Sequence, residues 1–134
     1  MHPRDTIYRL AEQKDYRRCH RLAEAMGQKI ATRLSWPTVV AIRDGELKGF
    51  LSTIPSKKAL IAGPMIVGGN GNRAILCMRL IETYEFILQK ARVQKYLFCI
   101  DAAMERWIEV INDVLDIRPY AETTRRAWFV RDLT

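Results

Sequence analysis

The sequence predicts a mixed α/β domain in which an antiparallel meander of strands leads into a β-α-β crossover. Three β-rich segments follow one another, separated by an Asp44-Gly45 turn and a Pro-Ser-Lys-Lys turn at residues 55–58. A long segment of helical apolar periodicity comes next, and a short, wholly apolar segment follows it, as in a helix leading to a buried strand. We expect all 134 residues to form one domain with helices flanking the sheet.

The N-terminal part of the chain is predicted to form one strand and two helices. The strand covers Thr6–Leu10, and the first helix covers Lys14–Met26, with its apolar stripe on one side and basic residues on the other. A second, short helix is predicted over Gln28–Leu34. Trp36-Pro37 should end it, because the residue before a proline avoids the α region.

The meander strands are predicted at Thr38–Ile42, Leu47–Ile54 and Ala59–Val67. Gly63-Pro64 interrupts the third of these strands. Since proline cannot donate a hydrogen bond to a central ladder, we expect a bulge or a splayed strand at this point.

The C-terminal half is predicted to alternate helices with strands. A long helix covers Arg73–Ala91, and a buried strand covers Tyr96–Ile100. A further helix is indicated by apolar residues at helical spacing from Met104 to Leu115, and a closing strand is predicted at Ala127–Val130.

Composition and charge limit the function classes. The formal net charge of +7 and the isoelectric point near 9.6 suit an anionic partner such as nucleic acid or a polyphosphate cofactor, although solubility alone also explains a basic surface. Cys19, Cys77 and Cys99 lack metal-ligand spacing and are predicted to be buried free thiols, which favours a reducing, cytoplasmic compartment. No apolar run is long enough to span a membrane, so we expect no membrane partner.

The chemically most suggestive stretch is "IVGGNGNRAIL", residues 66–76. It places three of the chain's seven glycines between a predicted strand and a predicted helix. The glycines either form a simple turn or allow a ligand to approach the backbone closely, and the residues alone leave both readings open.

Three passages, taken in order, resemble the GCN5-related N-acetyltransferase (GNAT) superfamily over nearly the whole chain. "IYRLAEQKDYRRCHRLAEAMG" is similar to the opening strand and first helix of that family. "MIVGGNGNRAILCMRLIETY" is similar to its strand, pyrophosphate loop and long helix, and "LFCIDAAMERWIEVINDVLDIRPYAETTRRAWFVRDL" to its final strand–helix–strand unit. The resemblance implies a divergent GNAT fold, and a bacteriophage source would suit two of the functions weighed below.

This resemblance implies a binding site for acetyl-CoA. In the family, the cofactor's pantetheine arm pairs with the fourth strand inside a V between two parallel strands, and loop N–H groups face the pyrophosphate. The thioester would then lie near Ile66 and Cys99. The implied cofactor-binding residues are Met65, Ile66, Val67, Gly68, Gly69, Asn70, Gly71, Asn72 and Arg73.

The loop departs from the family pattern Gln/Arg-x-x-Gly-x-Gly/Ala. One register places Gly69 and Gly71 on the two glycine positions, with Ile66 where Gln or Arg is expected. The other register places Gly71 on the first glycine position and Arg73 on the last. Arg73 would offer the phosphates a charged donor.

The catalytic residues are less clearly indicated. Asn112 occupies the place of the tyrosine that protonates the coenzyme A thiolate in many relatives, and an amide cannot act as an acid. Tyr84 and Tyr120 are candidates for that role, but each also suits a core or rim position. Asp101, directly after the buried strand, is a candidate general base, or else it caps the next helix.

Three functions are consistent with the sequence. The first is acyl transfer from acetyl-CoA to an unidentified amine. The second is nucleic-acid binding or DNA modification, as in the similarly folded Mom-type phage proteins, through a basic surface containing Arg17, Arg18, Arg21, Arg125 and Arg126. The third is a non-catalytic structural, virion or regulatory role. A homodimer is consistent with all three.

Overall fold

The computed structural model describes residues 5–28, 34–54, 59–68, 73–101, 121–122 and 126–134. Within these ranges the chain forms seven strands and two helices. In chain order they are β1 (Ile7–Leu10), α1 (Gln13–Ala25), β2 (Ser35–Arg43), β3 (Glu46–Ile54), β4 (Ile61–Val67), α2 (Arg73–Lys90), β5 (Lys95–Asp101), β6 (Ala121–Glu122) and β7 (Arg126–Asp132).

The described strands form one mixed sheet in the order β1-β2-β3-β4-β5-β7-β6. β1 to β4 are antiparallel neighbours, β4 and β5 are parallel, and β7 runs antiparallel to both β5 and β6. The parallel pair is joined through α2, as a β-α-β crossover requires. The predicted meander followed by a crossover is therefore confirmed.

The two helices cover opposite faces of the sheet. On the α2 face, Leu80, Tyr84 and Leu88 pack against Val39 and Leu51 of the central strands. The other face carries a second cluster, in which Cys19 and Ala23 of α1 pack with Val40, Phe50 and Ile66. Because both faces are covered, β2 and β3 each contain five consecutive buried residues instead of the alternating pattern of a half-exposed strand.

β2 begins earlier than the sequence suggests. It starts at Ser35 and contains Trp36-Pro37, which we expected to end a helix. The ladder with β3 shifts register between Ser35 and Val39, and a proline without an N–H group is tolerated at such an irregularity. Most of the predicted helix over Gln28–Leu34 and all of the helix predicted over residues 104–115 lie outside the described residues.

The α1 side of the fold is anchored on a buried carboxylate. Asp15, fully buried in the third position of α1, accepts a hydrogen bond from the Glu12 backbone N–H at 2.8 Å. Arg9 of β1 donates to both carboxylate oxygens, at 2.6 and 3.3 Å, and Arg18 donates at 3.3 Å. Arg18 also donates to the Gly45 carbonyl, so one carboxylate links α1 to β1 and to the β2–β3 turn.

A second charged group ties the other end of the sheet to α2. The Tyr96 hydroxyl of β5 donates to Glu85 Oε2 at 2.7 Å. Arg131 of β7 donates to the same oxygen at 2.7 Å and to Oε1 at 3.3 Å. Burial, and then the nearby Glu85 carboxylate, raise the pKa of Tyr96, so this hydroxyl stays a donor.

Asp15 should make the stability of the fold depend on acid pH. Burial raises the pKa of Asp15, but the hydrogen bonds from Arg9, the Glu12 backbone and Arg18 outweigh it and lower the pKa below the ordinary 3.8. The contribution is therefore complete above the unfolded-state pKa and is lost as pH falls through the lower folded-state value.

We expect Asp15→Asn to lower the free energy of unfolding at pH 7 by about 2 kcal/mol or more, because it leaves two arginines facing a neutral group. The variant should also lose part of the acid dependence. Urea titrations of both proteins between pH 7 and pH 3 measure the free energy of unfolding at each pH. The same pH dependence in both proteins would contradict the role of Asp15.

Candidate functional site

The candidate site is the gap between β4 and β5. In the described residues these parallel strands share a single paired position, Ile61 with Leu97, next to a hydrogen bond of 2.9 Å from the Leu97 N–H to the Leu60 carbonyl. β4 continues to Val67 and β5 to Asp101 without further pairing to each other. The two strands therefore separate towards their carboxyl ends, which is where ligands bind in open α/β sheets.

The β3 ladder determines which peptide groups of β4 face this gap. Phe50 is opposite Ile66, and the Gly68 N–H donates to the Lys48 carbonyl at 2.9 Å. In an antiparallel ladder, hydrogen-bonded pairs alternate with non-bonded pairs, so Ile66 bonds to β3 as Gly68 does. The peptide groups of Met65 and Val67 then point away from β3 and towards the gap.

Arg73 lies at the open end of the gap. Its guanidinium Nη2, on the first residue of α2, donates to the Val67 carbonyl at 3.3 Å. This contact agrees with the alternation of bonded and non-bonded pairs between β3 and β4, because a Val67 carbonyl bonded to β3 would not be directed towards Arg73. A cationic donor thus lies beside the backbone groups that line the gap.

Gly63-Pro64 produces the interruption that the sequence predicts. Between the pairs Leu51–Met65 and Thr53–Ala62, β3 advances two residues and β4 advances three, so β4 contains a bulge. Gly63 has φ of 138°, in the region that favours glycine. The predicted bulge is confirmed, and it lies directly before Met65, the first residue whose peptide groups face the gap.

Gly68 serves the packing of the fold. Its N–H already bonds to Lys48, and a Cβ at this position would lie 2.8 Å from Leu22 Cδ1 of α1. The glycine therefore allows α1 to approach the end of β4, and its N–H is not free for a phosphate. Which N–H groups of β4 bond to β3 depends on the strand register, and the sequence did not reveal that register.

Tyr84 is placed in the core. Its side chain is fully buried, and its hydroxyl lies 2.6 Å from Thr53 Oγ1. Thr53 uses its single proton to donate to the Pro37 carbonyl at 2.8 Å, so Tyr84 is the donor to Thr53. Burial raises the pKa of Tyr84 to about 12. These contacts support a structural role for Tyr84 over proton transfer to a ligand.

The other predicted catalytic residues are only partly described. We expected Asp101 to follow the buried strand directly, and in the structure it is the last residue of β5. In the sheet it lies opposite Arg126 of β7. Tyr120 and Asn112 lie outside the described residues, as do the loop residues Gly69, Asn70, Gly71 and Asn72. The structure therefore groups Met65, Ile66, Val67, Gly68 and Arg73 at one end of β4.

The arginines predicted to form a basic surface differ in their contacts where the structure describes them. Arg17 and Arg21 are exposed on α1, whereas Arg18 bonds to Asp15 and to the Gly45 carbonyl. Arg125 and the side chain of Arg126 are not described. Of the arginines that we assigned to a nucleic-acid surface, one is therefore used to hold the fold.

The chain has the fold of the GNAT acetyltransferases. Ard1 from Thermoplasma volcanium superimposes with a TM-score of 0.77 at 12% identity, over 96% of this chain and 98% of Ard1. The ribosomal-protein-S18-alanine N-acetyltransferase from Escherichia coli gives 0.72 at 13% identity, over 97% of this chain and 95% of that one. An aminoglycoside 6'-N-acetyltransferase complexed with coenzyme A gives 0.75 at 11% identity, covering 96% and 97% respectively.

These likenesses are structural only. No family model matches the sequence, and no curated protein matches it. Neither of the two described helices is long and apolar enough to cross a membrane.

The direction of the Tyr84–Thr53 hydrogen bond can be tested by unequal effects on stability. Tyr84→Phe removes the donor and should cost about 1 kcal/mol. Thr53→Val should cost more, about 2 kcal/mol, because it leaves the buried Tyr84 hydroxyl and the Pro37 carbonyl unpaired. Urea unfolding of both variants measures the difference. A larger loss for Tyr84→Phe would contradict the assignment.

Proposed function

We propose that this protein is an N-acyltransferase that uses acetyl-CoA and transfers the acyl group to an amine. The observation that carries the proposal is the gap between β4 and β5, lined by the peptide groups of Met65 and Val67. These groups would pair with the amides of a pantetheine arm as an additional strand would. The fold shared with N-acetyltransferases, one of them crystallised with coenzyme A, supports this choice.

The phosphates would bind where β4 ends and α2 begins. Arg73 would release the Val67 carbonyl or share its guanidinium with the pyrophosphate, since it has donors to spare. We propose the N–H groups of Gly69, Asn70, Gly71 and Asn72 as further phosphate donors and exclude Gly68, whose N–H bonds to Lys48.

The reaction would proceed by direct attack. The neutral amine nitrogen adds to the thioester carbonyl, the new C–N bond forms, and the C–S bond breaks to release the coenzyme A thiolate. The nitrogen loses a proton to a base, and the thiolate gains one. We propose Asp101 as the base, because it ends the strand that forms the other wall of the gap. Tyr120 is our proposal for the acid, and Asn112 for a polar contact to the substrate.

Most of the rate enhancement would come from positioning. The cofactor would be held by backbone groups on a rigid strand, and an amine held beside the thioester would react as if in one molecule. Nucleic-acid modification and a non-catalytic role stay as alternatives, which rest on the net charge of +7 and on the departure of the glycine-rich sequence from the family pattern.

The binding test uses the N–H group of Met65. Met65→Pro removes this donor without removing a β3 hydrogen bond, because Met65 belongs to a non-bonded pair. We expect at least about a fivefold weaker affinity for coenzyme A and acetyl-CoA by calorimetric titration, the loss of one hydrogen bond. Met65→Leu, which keeps the donor and the volume, is the matched control and should bind as the wild type does.

Circular dichroism and thermal melting of both variants would show that the sheet is intact. A folded wild-type protein that binds neither ligand would overturn the proposal. If the ligands bind, acyl transfer to small amines, to peptide N-termini and to DNA would be measured in turn, and the acceptor that reacts identifies the function.

A further inference from the structure

Helix α2 carries apolar side chains on two opposite faces. Cys77, Leu80, Tyr84 and Leu88 are buried against the sheet. On the opposite side, Ile75 is 50% exposed and Phe86 is 58% exposed. The outer face of this helix is therefore not uniformly polar, since it carries a large apolar side chain near each end.

Four outward residues of α2 form a narrow line, which we name the α2 seam: Ile75, Arg79, Glu82 and Phe86. They are spaced by four, three and four residues, so at 3.6 residues per turn they fall within about 60° of the helix circumference. The spacing is that of a coiled-coil seam. Arg79 and Glu82 form an ion pair of 3.1 Å whose side chains are 60% and 58% exposed.

The α2 seam is complementary to itself. When two copies of the helix lie antiparallel about a twofold axis centred between residues 80 and 81, each residue faces the one at the mirrored position. Ile75 then faces Phe86 of the second copy, and Arg79 faces Glu82 of the second copy. Both kinds of seam contact are matched, apolar with apolar and cation with anion, and each kind occurs twice because of the twofold axis.

We propose that the α2 seam is a homodimer interface formed by two antiparallel α2 helices. This inference does not depend on the proposed enzymatic function, because it uses the outer face of α2 and none of the groups that line the gap between β4 and β5. The order apolar, basic, acidic, apolar favours a second copy over other partners. An acidic partner would repel Glu82, a basic partner would repel Arg79, and a parallel helix pair would place like charges opposite each other.

The expected dimer is weak. The seam from Ile75 to Phe86 is about 17 Å long, which is shorter than the diameter of a standard interface. Met78, 45% exposed beside the seam, adds apolar area, and Lys90 Nζ lies 5.1 Å from the Phe86 ring centroid. We expect a monomer–dimer equilibrium with a Kd in the range of about 1–100 µM.

Sedimentation velocity of the full chain over a range of concentrations tests the interface. Phe86→Ala should weaken dimerisation by at least about tenfold, since it removes one apolar anchor from each half of the seam. Ile7→Ala is the matched control: Ile7 is 42% exposed, and it shares the face of β1 that carries Arg9, the α1 side. The control should dimerise as the wild type does.

Charge exchange separates the contact between copies from any effect within one chain. Arg79→Glu gives a seam with two acidic residues, and Glu82→Arg gives a seam with two basic residues, so each variant alone should be monomeric. An equimolar mixture of the two variants should form heterodimers, because every seam charge then meets its opposite. Circular dichroism would establish that each variant is folded.

Two results would overturn the proposal. One is a wild-type protein that stays monomeric up to about 100 µM, the weak end of the expected range. The other is a mixture of folded Arg79→Glu and Glu82→Arg chains that stays monomeric while the wild type dimerises, which would place the dimer contact on another surface.

Discussion

The separation of β4 from β5 is the constraint on which the rest of the structure depends. Parallel neighbours ordinarily satisfy each other's peptide groups, and here the described strands do so only at Ile61 and Leu97. The bulge at Gly63-Pro64 precedes the unpaired part of β4, and the β3 ladder directs the peptide groups of Met65 and Val67 into the gap. Unsatisfied backbone groups inside a sheet are costly, so a strand that keeps them must meet water or a ligand there.

Two carboxylates, the fully buried Asp15 and the partly buried Glu85, join elements on either side of this gap. Asp15 connects α1 with β1 and the β2–β3 turn, on the meander half. Glu85 connects α2 with β5 and β7, on the crossover half. Each carboxylate accepts several donors from different elements, and such groups fix relative positions more strictly than apolar contacts alone. Elements on both sides of the gap are thus held in place, and α2 joins the two sides because it also packs against β2 and β3.

The elements with a local cause were the ones that sequence reasoning could locate. The Asp44-Gly45 turn, the apolar stripe of α2 and the interruption by Gly63-Pro64 each depend on neighbouring residues, and each is present in the structure. β2 was misjudged at its start because the strand's partner, Thr53 opposite Ser35, is distant in sequence. The sequence also did not show which buried residues face which helix, because a strand covered on both faces has no alternation of apolar and polar residues. Nothing in "TVVAI" indicates that Val39 packs against α2 and Val40 against α1.

By itself, the sequence determined the antiparallel meander and the crossover that follows it, the position of the bulge and the location of the glycine-rich segment between β4 and α2. Tertiary structure alone decided which partner each hydrogen-bonding group takes. The Gly68 N–H donates to the Lys48 carbonyl, the Tyr84 hydroxyl to Thr53, and the Arg18 guanidinium to Asp15 and the Gly45 carbonyl. From the sequence, each of these residues was a candidate for contact with a ligand. The physical reason is that a hydrogen-bonding group serves the partner that folding brings within about 3 Å, and strand register sets that partner.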